Sequence, residues 1–386
     1  MRIAQVSPLY ESVPPKLYGG TERVVFNLTE GLVRRGHDVT LFASGDSLTS
    51  ARFVPNGREA LRLKGVREPI APHLLMFEKV RKLADEFDIV HFHNEYLHFS
   101  FARSLGAPSV STLHGRLDHE EYRDLFFEFR ELPLVSISNN QRQSLPFQNW
   151  AGTIHHGLAP DALEFNPDPG GYLAFLGRVS PDKGIEQAIE IAVMSGLPLK
   201  IAAKIDSNDV DYFASIRHLL RQPGIEFIGE IGDREKSAFL GGARALLFPI
   251  NWPEPFGLVM IEALAAGTPI IAFRNGSVPE VVVDGETGFI VDGIGAALVA
   301  VEKIPLLSRA RCREDFERRF SVDRMVEQYE RIYQNTIESF RSARVPAPHA
   351  RGLVGQFDSM LESAMNDPSC AYHEENLSAF LNGGLV

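Results

Sequence analysis

The chain has 386 residues, 44% hydrophobic and 23% charged, with a formal net charge of −11. Such a length suggests two or three domains with ordinary globular cores, and the acidic balance argues against non-specific binding to nucleic acid or anionic lipid. Two cysteines, Cys312 and Cys370, imply no disulfide framework and fit a reducing compartment.

The opening Met1-Arg2-Ile3-Ala4-Gln5-Val6-Ser7-Pro8 is too short an apolar run for a signal peptide. No stretch approaches the ~20 apolar residues of a membrane span, so a cytoplasmic protein is expected, with peripheral membrane association left open. Apolar runs at Ile3–Val6, Val39–Phe42, Ile89–Phe92, Ser109–Leu113 and Leu134–Ile137 read as buried strands. Between the first two lies the clearest helix, 21–35. Thr21 is its expected cap, Val24, Val25, Leu28 and Leu32 line one face, and Gly36 ends it. Strand and helix in alternation predict a parallel sheet covered on both faces. Pro160, Pro167, Pro169, Gly170 and Gly171 then break the pattern. It restarts with runs at Tyr172–Leu176, Leu199–Ala203, Ile225–Ile228, Ala245–Pro249 and Ile270–Ala272, and a last helix is predicted over 321–340. The fold class expected is α/β, two doubly wound, Rossmann-like domains facing across a cleft. The boundaries expected are 1–158 and 172–320 for the domains, 159–171 for the linker, 321–342 for a C-terminal helix and 343–386 for an appendage of unknown role.

The most informative stretch is Glu254-Pro255-Phe256-Gly257-Leu258-Val259-Met260-Ile261-Glu262. It joins a buried strand to a helix, with one carboxylate in the loop and one about two turns into the helix. If all eight steps were helical the two would stand roughly 12 Å apart, too far to flank one bond as glycosidase carboxylates do. They suit the two ends of an elongated ligand instead. Gly257 and Leu258 offer backbone N–H groups at the helix start between them, a place that favours phosphate. A polyol–phosphate–polyol ligand, a sugar nucleotide, follows. Two solvated glutamates around an ordinary helix start is the plain alternative.

Gly177-Arg178-Val179-Ser180-Pro181-Asp182-Lys183-Gly184 follows the first strand of the second half. Arg178 and Lys183 could close on a diphosphate, one as a fork and one as a point charge. In the first half, Gly19 and Gly20 precede a helix start, and His114 falls at the end of another strand. Asn94, Tyr96 and His98 are expected on the acceptor side. His91 and His93 raise a metal site, but their spacing matches no zinc pattern, and no G-x-G-x-x-G follows the first strand.

Taken together, Gly-Gly-Thr-Glu after the first strand, Gly-Arg-x4-Lys-Gly, the Glu-x7-Glu run and the segment Ser277-Val278-Pro279-Glu280 resemble retaining glycosyltransferases of family 4. The resemblance runs from residue 1 to about 340. It implies the GT-B fold, with donor on the second domain, acceptor on the first, and a final helix crossing back. It further implies that Arg178 and Lys183 hold the donor diphosphate, assisted by the amides of Gly257 and Leu258 beside Phe256. Glu254 would meet the transferred sugar and Glu262 the ribose. Gly19 and Gly20 would approach the phosphates, and His114 would lie beside the sugar and the acceptor.

The activity implied is retaining transfer of a hexose or N-acetylhexosamine from a nucleoside-diphosphate sugar, a UDP-sugar by family frequency, to the hydroxyl of a sugar, glycoconjugate or small molecule. Neither cofactor nor metal is called for. The linker reads His155-His156-Gly157-Leu158 where many relatives carry Asn-Gly. A nucleotide-sugar epimerase, a phosphorylase or a non-enzymatic nucleotide-sugar binder are the rival readings. The sequence leaves the sugar, base, acceptor and oligomeric state open.

Overall fold

In the computed structural model, residues 1–16, 19–62 and 65–344 are described. The apolar runs become the buried middles of two sheets. β1 (Arg2–Val6), β2 (Asp38–Ser44), β3 (Arg52–Asn56), β4 (Ile89–Phe92), β5 (Ser109–Thr112), β6 (Leu134–Ser136) and β7 (Trp150–Thr153) form the first, in the order β3-β2-β1-β4-β5-β6-β7. β8 (Tyr172–Arg178), β9 (Leu199–Lys204), β10 (Ile225–Gly229), β11 (Ala243–Phe248), β12 (Ile270–Phe273) and β13 (Gly288–Val291) form the second, ordered β10-β9-β8-β11-β12-β13. Neighbouring strands pair in parallel throughout both. Two doubly wound, Rossmann-like sheets are therefore what the chain builds. Strand order reverses between β1 and β4 in one and between β8 and β11 in the other, the places where such sheets open a crevice at their carboxyl ends.

Three strands were not anticipated from the sequence: β3, β7 and β13. Each is an edge strand. β3 carries Pro55, and β7 is half-buried along its whole length.

The first long helix spans Gly20–Arg34 and buries Val24, Val25, Leu28 and Leu32. Its cap is Gly19, and no side chain caps it; Thr21, expected there, lies inside the first turn. At the other end Gly36, at φ 84, lets its N–H reach Val33 O and that of His37 reach Leu32 O, the double hydrogen bond of a left-handed stop.

After the second sheet the chain returns to the first. The helix Val322–Arg344 lays Val322, Met325, Val326, Tyr329 and Tyr333 on Ile3, Val24, Leu28, Val110 and Val135. The outgoing and returning strands of this crossing are tied together: Leu158 N donates to Phe320 O at 2.9 Å, and Val322 N to Leu158 O at 2.9 Å. The appendage expected from 343 onward lies, past this helix, outside the described residues.

Candidate functional site

The loop after β11, residues 249–257, is gripped from both sides by neighbouring strand-end loops. On one side stand Pro181–Lys183, a single tight turn, and Gly184 at φ 73. A Cβ on Gly184 would lie 1.9 Å from Pro249 O, and Asn251 N donates to Asp182 O at 2.9 Å. On the other side Gly276, at φ 54, presses its backbone onto Glu254; a Cβ there would be 2.3 Å from both Glu254 N and Glu254 O. Ser277 N donates to Glu254 O at 3.0 Å, Ser277 Oγ to Phe256 O at 2.8 Å, and Asn275 Nδ2 to Ile250 O at 2.7 Å. Phe256, 2% exposed, anchors the loop. Gly257, at φ 76, then turns the chain into the helix Leu258–Ala265. Helix begins only at Leu258, so the all-helical spacing of Glu254 from Glu262 does not hold.

Both sheets contribute to one cleft of about 590 Å³. Gly19, Gly20, Asn94, Tyr96, His114, Arg178, Lys183, Glu254, Phe256, Gly257, Leu258 and Glu262 all line it. Two lysine–glutamate pairs mark its second-sheet wall. Lys183 Nζ donates to the Glu254 carboxylate. Lys236 Nζ donates to Glu262 Oε1 at 2.7 Å and lies 3.4 Å from Asp233 Oδ1. Asp233 also pairs with Arg23, from the helix that opens at Gly20. Arg178 stands 3.3 Å from Asp209 and 3.6 Å from Asp182. A methyl on Gly20 would meet Leu258 Cδ1 at 3.5 Å. Two helix N-termini thus open on the same space, each with a partial positive charge.

The first-sheet wall is polar, with Glu22, Arg23 and Arg62 at its edge. Asn94 is 3% exposed, and neither its amide oxygen nor its nitrogen has a partner among the described residues. Glu95, in the left-handed region at φ 50, accepts from His114 N at 2.9 Å and Gly115 N at 3.0 Å. Burial pushes its carboxyl up to about 7, the two N–H groups opposing the rise. Burial also pushes His114 down to about 3, so its ring is neutral near pH 7. His114 Nε2 lies 2.9 Å from His93 Nδ1, while its Nδ1 has no partner among the described residues. His156, from the crossing segment, stacks on it at 5.4 Å and 19°.

One expectation needs correction. His98 does not line the cleft: it is fully buried, stacked on Phe92 at 4.2 Å, with Nε2 2.6 Å from Ser111 Oγ. His91 and His93 spend their ring nitrogens on Tyr333, Thr112, Gln5 and His114, and no cluster of metal-ligating side chains occurs among the described residues. Lys236 and Glu95 were missed, and His156 was read as a linker residue rather than a cleft residue. Glu95 adjoins a residue that had been noticed, whereas Lys236 sits in an unremarkable polar helix, Asp233–Gly241.

Two doubly wound sheets that open one cleft at their carboxyl ends, with paired charges on the second-sheet wall, have the architecture of a GT-B glycosyltransferase. Two family models agree, "Glycosyl transferases group 1" over residues 164–318 and "Glycosyltransferase Family 4" over residues 18–144. The glycogen synthase of Mycobacterium tuberculosis is 27% identical over 374 residues, covering 81% of this chain and 89% of that one. The phosphatidyl-myo-inositol mannosyltransferase of Mycobacterium leprae is 25% identical over 384 residues, covering 89% and 100%. Among solved structures, Anabaena HepE in complex with UDP shares the fold with a TM-score of 0.66 at 17% identity, covering 87% and 100%. The chain is a glycosyltransferase, similar in its two halves to those two families.

Two predictions follow from the geometry of the walls. Gly276→Ala forces a side chain into a left-handed position against the Glu254 backbone. It is expected to lose about 1–3 kcal/mol in equilibrium urea unfolding and to depress turnover; wild-type values of both would remove the grip on this loop. For Glu95, folding raises the pKa to about 7. The folded state therefore keeps a proton that the unfolded chain gives up, and stability is lost as pH rises from about 4.5 through 7. Glu95→Gln keeps an acceptor oxygen for both N–H groups. Its stability relative to wild type should rise from about pH 5 to about pH 8; a difference independent of pH would contradict the buried carboxyl.

Proposed function

We propose that this glycosyltransferase moves a hexose or N-acetylhexosamine from a UDP-sugar to an acceptor hydroxyl, with retention at the anomeric carbon and without a metal ion. One observation carries the reading: two glutamates, each neutralised by its own lysine, flank the start of a helix that faces a second helix start across the cleft. A donor laid along this wall puts its ribose on Glu262, its diphosphate between the helix starts, and its sugar on Glu254. Arg178 and Lys183 supply the countercharge by leaving their present carboxylate partners for the phosphates. The UDP bound in the Anabaena relative supports the choice of base. The first-sheet wall, with Asn94, Tyr96 and Glu95, takes the acceptor.

In the reaction the bond from the anomeric carbon to the diphosphate oxygen breaks and that to the acceptor oxygen forms on the same face. The acceptor's proton passes to the departing phosphate. Positive charge builds on the sugar and negative charge on the diphosphate. Fixed cations and helix-end amides around the latter supply the electrostatic stabilisation that usually dominates catalysis, which is why no metal is needed in this account. His114, neutral, lies beside the sugar and accepts from one of its hydroxyls through Nδ1.

The two glutamates are expected to fail differently. Glu262→Gln should weaken binding of free UDP, because it removes the charge that accepts from the ribose hydroxyls. Glu254→Gln should bind free UDP nearly as wild type does but turn over intact donor poorly. Calorimetry with UDP on both variants decides the matter, and an equal loss of UDP affinity would overturn the end-to-end placement of the donor.

A further inference from the structure

A line of buried side chains runs from His114 through the first sheet to the C-terminal helix. His114 Nε2 meets His93 Nδ1 at 2.9 Å, and His93 Nε2 meets Gln5 Oε1 at 2.9 Å. Gln5 Nε2 donates to Tyr333 Oη at 2.9 Å, and Tyr333 Oη lies 2.8 Å from His91 Nδ1. His91 Nε2 meets Thr112 Oγ1 at 2.7 Å, and Thr112 Oγ1 meets Tyr329 Oη at 2.9 Å. Gln5, His91, His93, Thr112, Tyr329 and Tyr333 are each 0% exposed, so water does not compete for these bonds.

The polarity of the line is set at one point. A neutral imidazole has one donor nitrogen and one acceptor nitrogen, so each ring hands on the direction it receives. Burial lowers the pKa of His91, His93 and His114, which keeps all three rings neutral. Gln5 is the member whose two ends differ by chemistry. Its carbonyl oxygen accepts, so the proton of His93 is on Nε2 and its Nδ1 accepts. The proton of His114 is then on Nε2, and Nδ1 keeps a bare lone pair. In the other direction the Gln5 amide donates to Tyr333, Tyr333 to His91, His91 to Thr112 and Thr112 to Tyr329. Turning the amide over would reverse all six bonds and put a proton on His114 Nδ1.

We infer that Gln5 and Tyr333 are positioning residues that hold His114 in its Nε2–H form, so that Nδ1 meets the transferred sugar as a fixed hydrogen-bond acceptor. The inference deepens the donor reading above and rests on it. That Nδ1 atom is buried and has no partner among the described residues, and a buried polar atom left so is costly unless a ligand group satisfies it. A sugar hydroxyl, which can always donate, suits a lone pair. A sugar oxygen without a proton does not.

The test is nitrogen NMR of the His114 ring in the 15N-labelled full chain, with turnover and UDP affinity measured alongside. Wild type should show an unprotonated Nδ1 and a protonated Nε2. Tyr333→Phe removes the partner of the Gln5 amide on the helix side and cuts the line there, so the two amide orientations become comparable. The Nδ1 signal should then move toward the protonated range and kcat should fall roughly ten-fold, the worth of one hydrogen bond, with UDP affinity unchanged. Tyr329→Phe deletes the same atom from the same helix at the far end of the line and leaves Gln5 joined to Tyr333, His91 and Thr112; it should move the His114 signals and kcat much less than Tyr333→Phe does. A helix that merely needed its tyrosines for packing would make the two variants alike. Protonated Nδ1 in wild type overturns the proposal, even should Tyr333→Phe fail to fold. So do unchanged His114 signals in Tyr333→Phe. If the signals move as expected while kcat stays put, the line exists but His114 does not serve the sugar, and it is the donor reading that fails.

Discussion

The cleft depends on how one loop is held. Residues 249–257 carry no regular structure of their own, yet they place Glu254, and they deliver Gly257 to the start of the donor-wall helix. Backbone pressed against backbone does the holding, with Gly184 on Pro249 and Gly276 on Glu254. Neither contact leaves room for a side chain. Three stretches that look like separate motifs along the chain, Gly177–Gly184, Glu254–Glu262 and Asn275–Glu280, are therefore one packed unit. Their glycines serve close approach at a left-handed φ, and their polar residues, Asn275 and Ser277, satisfy carbonyls of the loop. A loop held this way loses little entropy when it meets a ligand, which is the condition for placing a carboxylate to within a fraction of an ångström.

The second constraint is electrostatic. The charges on the donor wall are paired within the wall itself, Lys183 with Glu254 and Lys236 with Glu262. In both pairs the side chains are at most 15% exposed, so neither charge could stand there alone without a large desolvation penalty. In the proposed reading a diphosphate draws Lys183 away and leaves Glu254 to sugar hydroxyls, and this exchange of partners keeps both buried charges satisfied. On the opposite wall burial acts on single groups instead, depressing His114 and raising Glu95. Contacts between the walls, Arg23 with Asp233 and the Glu280 carboxylate with the N–H groups of Asn139 and Asn140 at 2.7 and 2.8 Å, bring the two surfaces together.

The central strands were legible because burial on both faces demands unbroken apolar runs, such as Ile89–Phe92 and Leu134–Ser136. The three that were not, β3, β7 and β13, lie at sheet edges, where one side needs no apolar partner and Pro55 is tolerated. Helix starts fared unevenly. Thr21 looked like a cap by residue type, but here the glycines Gly19 and Gly20 open the helix, and leave its N–H groups exposed to the cleft. Many of the residues that line the cleft were legible in the motifs, since strand-end glycines and charges mark positions in the fold. Lys236 was not, because its partner Glu262 is 26 residues away and only the fold brings them to 2.7 Å. The buried line from His114 to Tyr329 was out of reach for the same reason: Gln5, His91 and Tyr333 come from three distant stretches, and each alone reads as an ordinary strand or helix residue.

The central claim is that side chains and helix ends alone bind and activate a nucleoside-diphosphate sugar in this cleft. The most direct measurement is release of nucleoside diphosphate by the full chain, stripped of metal with a chelator, from UDP-, GDP- and ADP-sugars in turn. The account predicts release from a UDP-sugar at a rate unchanged by chelation. Release from none of the three, or release that returns only when a divalent cation is added back, would contradict it.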